Sequence, residues 1–221
     1  MKRIFILFAF SLSLTTSIAQ KNPSKFPGTL ITINNDTIKA QIILFNHSNN
    51  IELSDLFVEV SYEDSAGGTF TVRPNEHILS FQFNNKHQNY YFEKIALKGT
   101  EQKKQEYGFG LCIVKGYISL YQYSFDLEAT ILTTTSSPGK PSTGNFKQRY
   151  IYNFLQKQNL PPSPVKRKPS FTGMSPNNEK KWLKHYFKDY PQLAKKIGKE
   201  IKTYDLESMV KEYNNWRDEK K

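Results

Sequence analysis

Between residues 28 and 135 the chain is a succession of short β-branched and aromatic runs, with no stretch between them long enough to hold a crossover helix. Parallel strands need connections of about a dozen residues or more, so this spacing admits only an antiparallel sheet. The first pair is explicit in GTLITINNDTIKAQIILF, residues 28–45, where two β-branched runs flank Asn34-Asn35-Asp36. Asparagine and aspartate tolerate the left-handed backbone that a tight hairpin turn requires. Further strands are expected over residues 56–62, 69–73, 78–84, 89–97, 108–114, 117–125 and 129–135, each bounded by turn residues. Lys115-Gly116 joins LCIV to YISLYQY as a second hairpin. Alternation along that strand puts Tyr117, Ser119, Tyr121 and Tyr123 on one face and Ile118, Leu120 and Gln122 on the other.

Proline divides this region from the rest. Seven of the eleven prolines lie between Pro138 and Pro176, in SSPGKPSTGN and PPSPVKRKPSFTGMSPNN, with RYIYNFLQKQ between. Proline donates no backbone hydrogen bond, so the first run is expected to be a mobile loop and the second a stiff, extended connector. Ser175-Pro176 then reads as a helix start running to about residue 188, with Trp182, Leu183, Tyr186, Phe187 and Tyr190 at helical spacing. Pro191 opens a short second helix carrying Leu193 and Ile197, which Gly198 ends. Thr203 is the expected cap of a third, whose apolar stripe is Leu206, Met209, Val210 and Tyr213, continued by Trp216. Helices this short are unstable alone, so their stripes must bury against each other or the sheet.

The expected fold class is therefore α+β: an antiparallel β-rich sheet or partly closed barrel, followed by a C-terminal cluster of two or three amphipathic helices. The organisation runs as a leader over residues 1–19, a β-rich domain over 20–160, a proline-rich basic linker over 161–175 and a helical segment over 176–221 that packs on the sheet. Aromatic density in NYYFEK and YQYSF fits a surface that stacks carbohydrate, or a sheet face packed on the C-terminal helices. The second is the expectation, because aromatics are enriched in strands generally.

Lys2 and Arg3 precede an apolar run over residues 4–14, and Ser17-Ile18-Ala19 supplies the small residues a signal peptidase reads. Cleavage is expected after Ala19. Eleven residues make about 16 Å of helix against a hydrocarbon core of about 30 Å, which disfavours a membrane anchor. Nothing later in the sequence is apolar enough to span a bilayer, so the expected location is periplasmic or extracellular. The single cysteine, Cys112, allows no internal disulfide and reads as a small apolar packing residue rather than a nucleophile.

Charge is unevenly placed. Residues 20–140 carry 11 basic and 12 acidic side chains, whereas residues 141–221 carry 18 and 8. Any anionic partner, lipid or polysaccharide, would therefore be met by the C-terminal part, through Lys166, Arg167, Lys168, Lys180, Lys181 and Lys184. The competing reading is that these lysines only solvate helix faces, and export makes nucleic acid an unexpected partner. His47, His77, His87 and His185 have neither helical metal spacing nor a cysteine cluster beside them, and neither serine elbows nor phosphate loops occur. No cofactor, metal or catalytic residue is expected. Asp36-Thr37-Ile38 and Asp64-Ser65-Ala66 resemble a short O-glycosylation signal of exported proteins, making Thr37 and Ser65 candidate acceptors.

GTLITINNDTIKAQI with its Asp36-Thr37 pair, VKGYISLYQY, FKDYPQLAKKI and YDLESMVKEYN together resemble a family of exported Bacteroidota proteins with an N-terminal β-hairpin and C-terminal helices. The likeness spans most of the chain beyond the leader, and its most specific parts are the strand-glycine-strand with LYQY and the closing KEYN, Lys211 to Asn214. Ala40 departs from the pattern, standing where a glycine is common after the hairpin aspartate. The resemblance implies an envelope or secreted location and a shared fold, and no activity. The function expected is that of a non-enzymatic binding or structural module contacting an envelope protein or glycan. The alternatives are a hydrolase of envelope material whose site assembles only on folding, and an anionic-surface binder.

Overall fold

A computed structural model describes residues 23–47, 50–51, 53–74, 76–85, 88–97, 106–133, 142–165 and 176–221. The expected leader, the basic triplet Lys166, Arg167 and Lys168, and Ser175 lie outside the described residues. The strands are β1 (Pro23–Thr32), β2 (Thr37–His47), β3 (Asn50–Ile51), β4 (Val60–Asp64), β5 (Thr69–Val72), β6 (Ile78–Asn85), β7 (Gln88–Ala96), β8 (Tyr107–Val114), β9 (Ile118–Thr133), β10 (Ser142–Lys157) and β11 (Ser163–Val165). Three helices follow, α1 (Pro176–Tyr186), α2 (Pro191–Lys196) and α3 (Leu206–Asp218). The sheet is antiparallel and open, in the order β11-β10-β9-β8-β7-β6-β1-β2-β4-β5, with β3 paired to β2. The α+β class with segregated elements is thus the observed one.

The first hairpin forms as its turn residues require. Asn35 holds φ +64°, and the Thr32 hydroxyl accepts from the amides of Asn34 and Asp36 at 3.3 and 3.1 Å. Register is regular throughout, with Gly28 opposite Ala40, so the alanine brings no bulge. Gly28 is needed for another reason: a Cβ there would lie 2.4 Å from the Gln82 carbonyl of β6.

Several expectations require correction. Leu56 and Phe57 belong to a 3₁₀ turn, Asp55–Phe57, and the strand starts only at Val60. Both side chains are buried, and apolar content alone does not separate a buried turn from a buried strand. Residues 118–133, which span most of both expected runs, are one strand, β9, paired without interruption to β10 from Ile118↔Lys157 to Thr133↔Ser142. Asp126, between the runs, is tolerated because Arg149 stands opposite it, its Nε 3.0 Å from the carboxylate. Consequently the latter part of SSPGKPSTGN, from Ser142, is strand rather than loop. Within the connector, Ser163–Val165 pairs with β10 as an edge strand, where Pro164 needs no ladder bond on its outer side.

Two cores lie on opposite faces of the sheet. The larger holds Phe81, Phe83, Phe92, Phe109, Tyr123, Phe125, Tyr152 and Phe154 together with Leu30, Ile42, Leu56 and Phe57. Here the sheet curls on itself: the 3₁₀ turn next to β4 reaches β8 and β9, and the Phe57 ring meets Phe92 and Tyr123 edge-on at 5.7 Å each. The smaller core joins Ile118, Leu120, Leu155 and Val165 to Leu183, Phe187, Leu193, Ile197, Leu206, Met209, Val210 and Tyr213. The expected aromatic face packed on the helices is therefore overturned: the aromatics fill the sheet's own curl, and aliphatic residues of the other face receive the helices. The alternation read in β9 holds from Ile118 onward, while Tyr117 precedes the strand and packs with the helices. Burying each large apolar side chain of the helical core is worth about 1.5–3 kcal/mol.

The last helix is capped by Asp205, whose carboxylate accepts from the Ser208 amide at 3.2 Å, and not by Thr203. One side chain then docks it. Asn214 accepts from the Ile118 amide and donates to the Ile118 carbonyl, both at 2.9 Å. A Cβ on Gly116 would approach the Asn214 amide nitrogen to 2.3 Å, so the Lys115-Gly116 turn and the KEYN segment are fitted to each other. Ile118 is fully buried, so Asn214→Ala strands two buried backbone groups and is expected to cost about 2–4 kcal/mol. Urea unfolding should show a lower midpoint, whereas Tyr204→Ala, at a side chain 68% exposed, should leave it in place.

Candidate functional site

The turn between β8 and β9, the end of β10 and the end of α3 enclose a cleft of about 470 Å³. Lys115, Gly116 and Tyr117 come from the turn, Ser119 and Tyr121 from β9, and Glu93 from β7. Gln156, Lys157 and Gln158 close one side, and Asp218 and Lys221 close another. Pairing creates this meeting: β7 sets Glu93 opposite Gly110, β8 sets Cys112 opposite Tyr121, and the register shifts between Cys112 and Val114.

The charged groups of the cleft are matched locally. Glu93 binds the Lys115 ammonium and also accepts from the Tyr121 hydroxyl at 2.6 Å. Burial works against the charge on Lys115, but the Glu93 hydrogen bond and charge outweigh it and raise its pKa. Burial, followed by the Glu93 carboxylate, pushes the Tyr121 phenol far above its ordinary value. Lys221 lies 2.7 Å from Asp218. The Ser119 hydroxyl faces the backbone of Gly116, donating to its carbonyl at 3.4 Å.

Lys157 connects this cleft to the helices. Its ammonium lies 3.2 Å from both Asp189 oxygens, and Tyr213 donates to the same carboxylate at 2.5 Å. Burial would raise the Asp189 pKa, but the hydrogen bonds from Tyr213 and Lys157 overcome it and hold the carboxyl below its usual range. The Tyr213 and Tyr186 phenols are both pushed up, chiefly by burial. The Lys157 ammonium also sits over the rings of Tyr186 and Tyr213, at 5.3 and 5.4 Å, where their π faces favour a cation.

The residues singled out in the sequence lie elsewhere. On α1, Lys181 is exposed, and Lys180 extends to the Gly198 carbonyl at 3.4 Å, with Lys184 one turn further along. Thr37, at the start of β2, and Ser65, in the turn between β4 and β5, are exposed; because Ala40 pairs with Asp64, both stand at one end of neighbouring strands. Asp64 organises that turn by accepting from the amides of Ala66 and Gly68 at 3.0 and 2.9 Å. His77 and His185 are exposed. Among the described residues no group of three or more His, Cys, Asp or Glu side chains stands together as a metal would need. Cys112 is half-buried against the larger core, and burial pushes its thiol up to about 11, with Lys115 pulling the other way. A second cleft of about 400 Å³, beside Gly28, Gln82, Asn84 and Asn89, is lined by no ionisable side chain.

The sequence did not mark the cleft residues as one site, because Glu93, Lys115 and Lys157 come together only through the pairing of four strands. One signal was present: VKGYISLYQY and KEYN supply Lys115, Tyr117, Ser119, Tyr121 and the docking Asn214. No protein-family model matches the chain, and no curated protein or solved structure matches it.

Two outcomes follow from the electrostatics. Tyr121, Tyr186 and Tyr213 ionise later in the folded protein than in an unfolded chain, whose phenols titrate near 10.0. Their contribution to stability is complete below that pH and is lost as pH rises above it, so urea midpoints should fall on the alkaline side and fall less in Tyr121→Phe. Cys112 at pH 8 should react with iodoacetamide roughly a hundredfold more slowly than an ordinary thiol, and at the ordinary rate once unfolded.

Proposed function

We propose that this protein is exported through its N-terminal leader to the periplasm or cell surface and acts there as a non-enzymatic binding module, taking a neutral, hydroxyl-rich ligand such as a glycan segment in the cleft beside the Lys115-Gly116 turn. The observation that carries this reading is the local charge balance of a cavity of about 470 Å³, where Lys115, Lys157 and Lys221 already hold Glu93, Asp189 and Asp218. Volumes of about 300–1,000 Å³ are usual for small-molecule sites. Ammonium groups with carboxylate partners offer directed donors without a net demand for an anion, and the Gln156 and Gln158 amides add donors and acceptors. Sugar hydroxyls, which donate and accept together, suit such a lining. The likeness to exported envelope proteins supports the location.

Hydrolysis of envelope material is the second reading, favoured by one observation: two carboxylates, Glu93 and Asp218, line the same cleft. Neither has the apolar surroundings that keep a general acid protonated, since Glu93 holds an ammonium and Asp218 has a side chain 65% exposed. Binding is therefore preferred.

Calorimetry with purified envelope glycan fragments tests the proposal, using chain expressed from Gln20. Saturable binding is expected, weakened about tenfold in the Gln156→Ala, Gln158→Ala double variant, which removes two hydrogen-bonding amides. Absence of binding across glycan classes would sink the glycan reading. Release of new reducing ends by the wild type but not by Glu93→Gln would replace binding with hydrolysis. The intact mass of the native exported protein should correspond to a chain starting at Gln20.

A further inference from the structure

Segregation of charge within the helical region points to a second surface. Residues 180–202 carry eight lysines against Asp189 and Glu200 alone. Asp189 is taken by Lys157 of the sheet, and Lys196 is taken by Glu212 of α3. No carboxylate among the described residues pairs with Lys181, Lys184, Lys188, Lys195, Lys199 or Lys202, and all of these but Lys184 are exposed.

The lysines of α1 and those of the turn after α2 come together through Lys180. At about 100° per residue, Lys180, Lys181 and Lys184 fall within an arc of roughly 100° on α1, away from the buried Leu183. The turn after α2 carries Lys199 and Lys202, and the Lys180 stem lies across it, so close that a Cβ on Gly198 would meet the Lys180 Cε at 2.6 Å. Lys180 thus joins the α1 lysines to those that follow α2. Beside them Tyr204 is 68% exposed, the most exposed large apolar side chain among the described residues.

We infer that the lysine surface of α1, α2 and the following turn docks the protein on an anionic lipid surface, with Tyr204 at headgroup level. Charge complementarity supplies the attraction, and it is diffuse: flexible ammonium groups with no arginine among them make a field rather than the planar fork that grips a single phosphate. An exposed tyrosine beside lysines favours a bilayer over a soluble polyanion, because its ring has an apolar body and a polar tip suited to the membrane–water boundary. None of these lysines lines the charge-balanced cleft, so the inference does not depend on the ligand proposed there.

Co-sedimentation of the chain expressed from Gln20 with vesicles of phosphatidylglycerol and phosphatidylcholine tests it, against vesicles of phosphatidylcholine alone and against soluble dextran sulfate. Binding to the anionic vesicles is expected and should vanish near 1 M salt, where the screening length is about 3 Å. The triple variant Lys181→Gln, Lys188→Gln, Lys199→Gln, altering only exposed side chains, should lower the partition coefficient on the order of a hundredfold. Tyr204→Ala should weaken vesicle binding without changing any capture by dextran sulfate. Equal partition onto neutral vesicles, wild-type binding by the triple variant, or capture by dextran sulfate with no vesicle binding would each overturn the inference. Should the triple variant lose its fold, the salt series and Tyr204→Ala decide the matter.

Discussion

The peptide group of Ile118 is the joint on which this architecture turns. Strand β9 begins there, paired on one side with Lys157 of β10, while β8 has ended at Val114 with its last partner at Leu120. The N–H and C=O on the open side are buried beneath the helices, and an unpaired buried amide is costly. The Asn214 side chain presents a donor and an acceptor at the spacing of a neighbouring strand and answers both. A single amide thereby continues the sheet by one residue while fixing the height and rotation of α3. Leucine or alanine at that point could pack, but could not close the ladder.

That joint also explains the location of the cleft. Because Asn214 fills the space above Gly116, the end of α3 is held over the β8–β9 turn, and a hollow remains between Tyr117, Lys157 and Asp218. The Lys157–Asp189–Tyr213 cluster pins the other side by connecting β10 to the α1–α2 connection and to α3. Lysines at this interface are consumed by internal carboxylates, whereas those facing outward on α1 and α2 are not. The basic excess seen in the sequence thus separates into lysines held by carboxylates and lysines that are not.

Local patterns carried much of the architecture. Asn34-Asn35-Asp36 announced the first hairpin, and Leu206, Met209, Val210 and Tyr213 announced the buried stripe of α3, because both depend on neighbouring residues alone. Where distant residues decided the outcome, local reading failed. Asp126 looked like part of a strand break, and only Arg149 opposite it on β10 shows why the strand continues. Leu56 and Phe57 looked like strand because their apolar character was visible while the curl that receives them was not. The cleft was hidden for the same reason, as Glu93 is adjacent to Lys115 and Tyr121 only when β7, β8 and β9 lie side by side.

The long β9–β10 hairpin has a consequence for the order of assembly. Its strands are joined through residues 134–141 and stay in register over 16 pairs, so its contacts close over short stretches of chain. Asn214, by contrast, meets Ile118 across 96 residues. Loop-closure entropy favours the nearer contacts, so the hairpin is expected to zip early, with its first peptide group left open. The C-terminal helix then arrives as a latch, and the sheet stays unlatched until nearly the whole chain is free to fold.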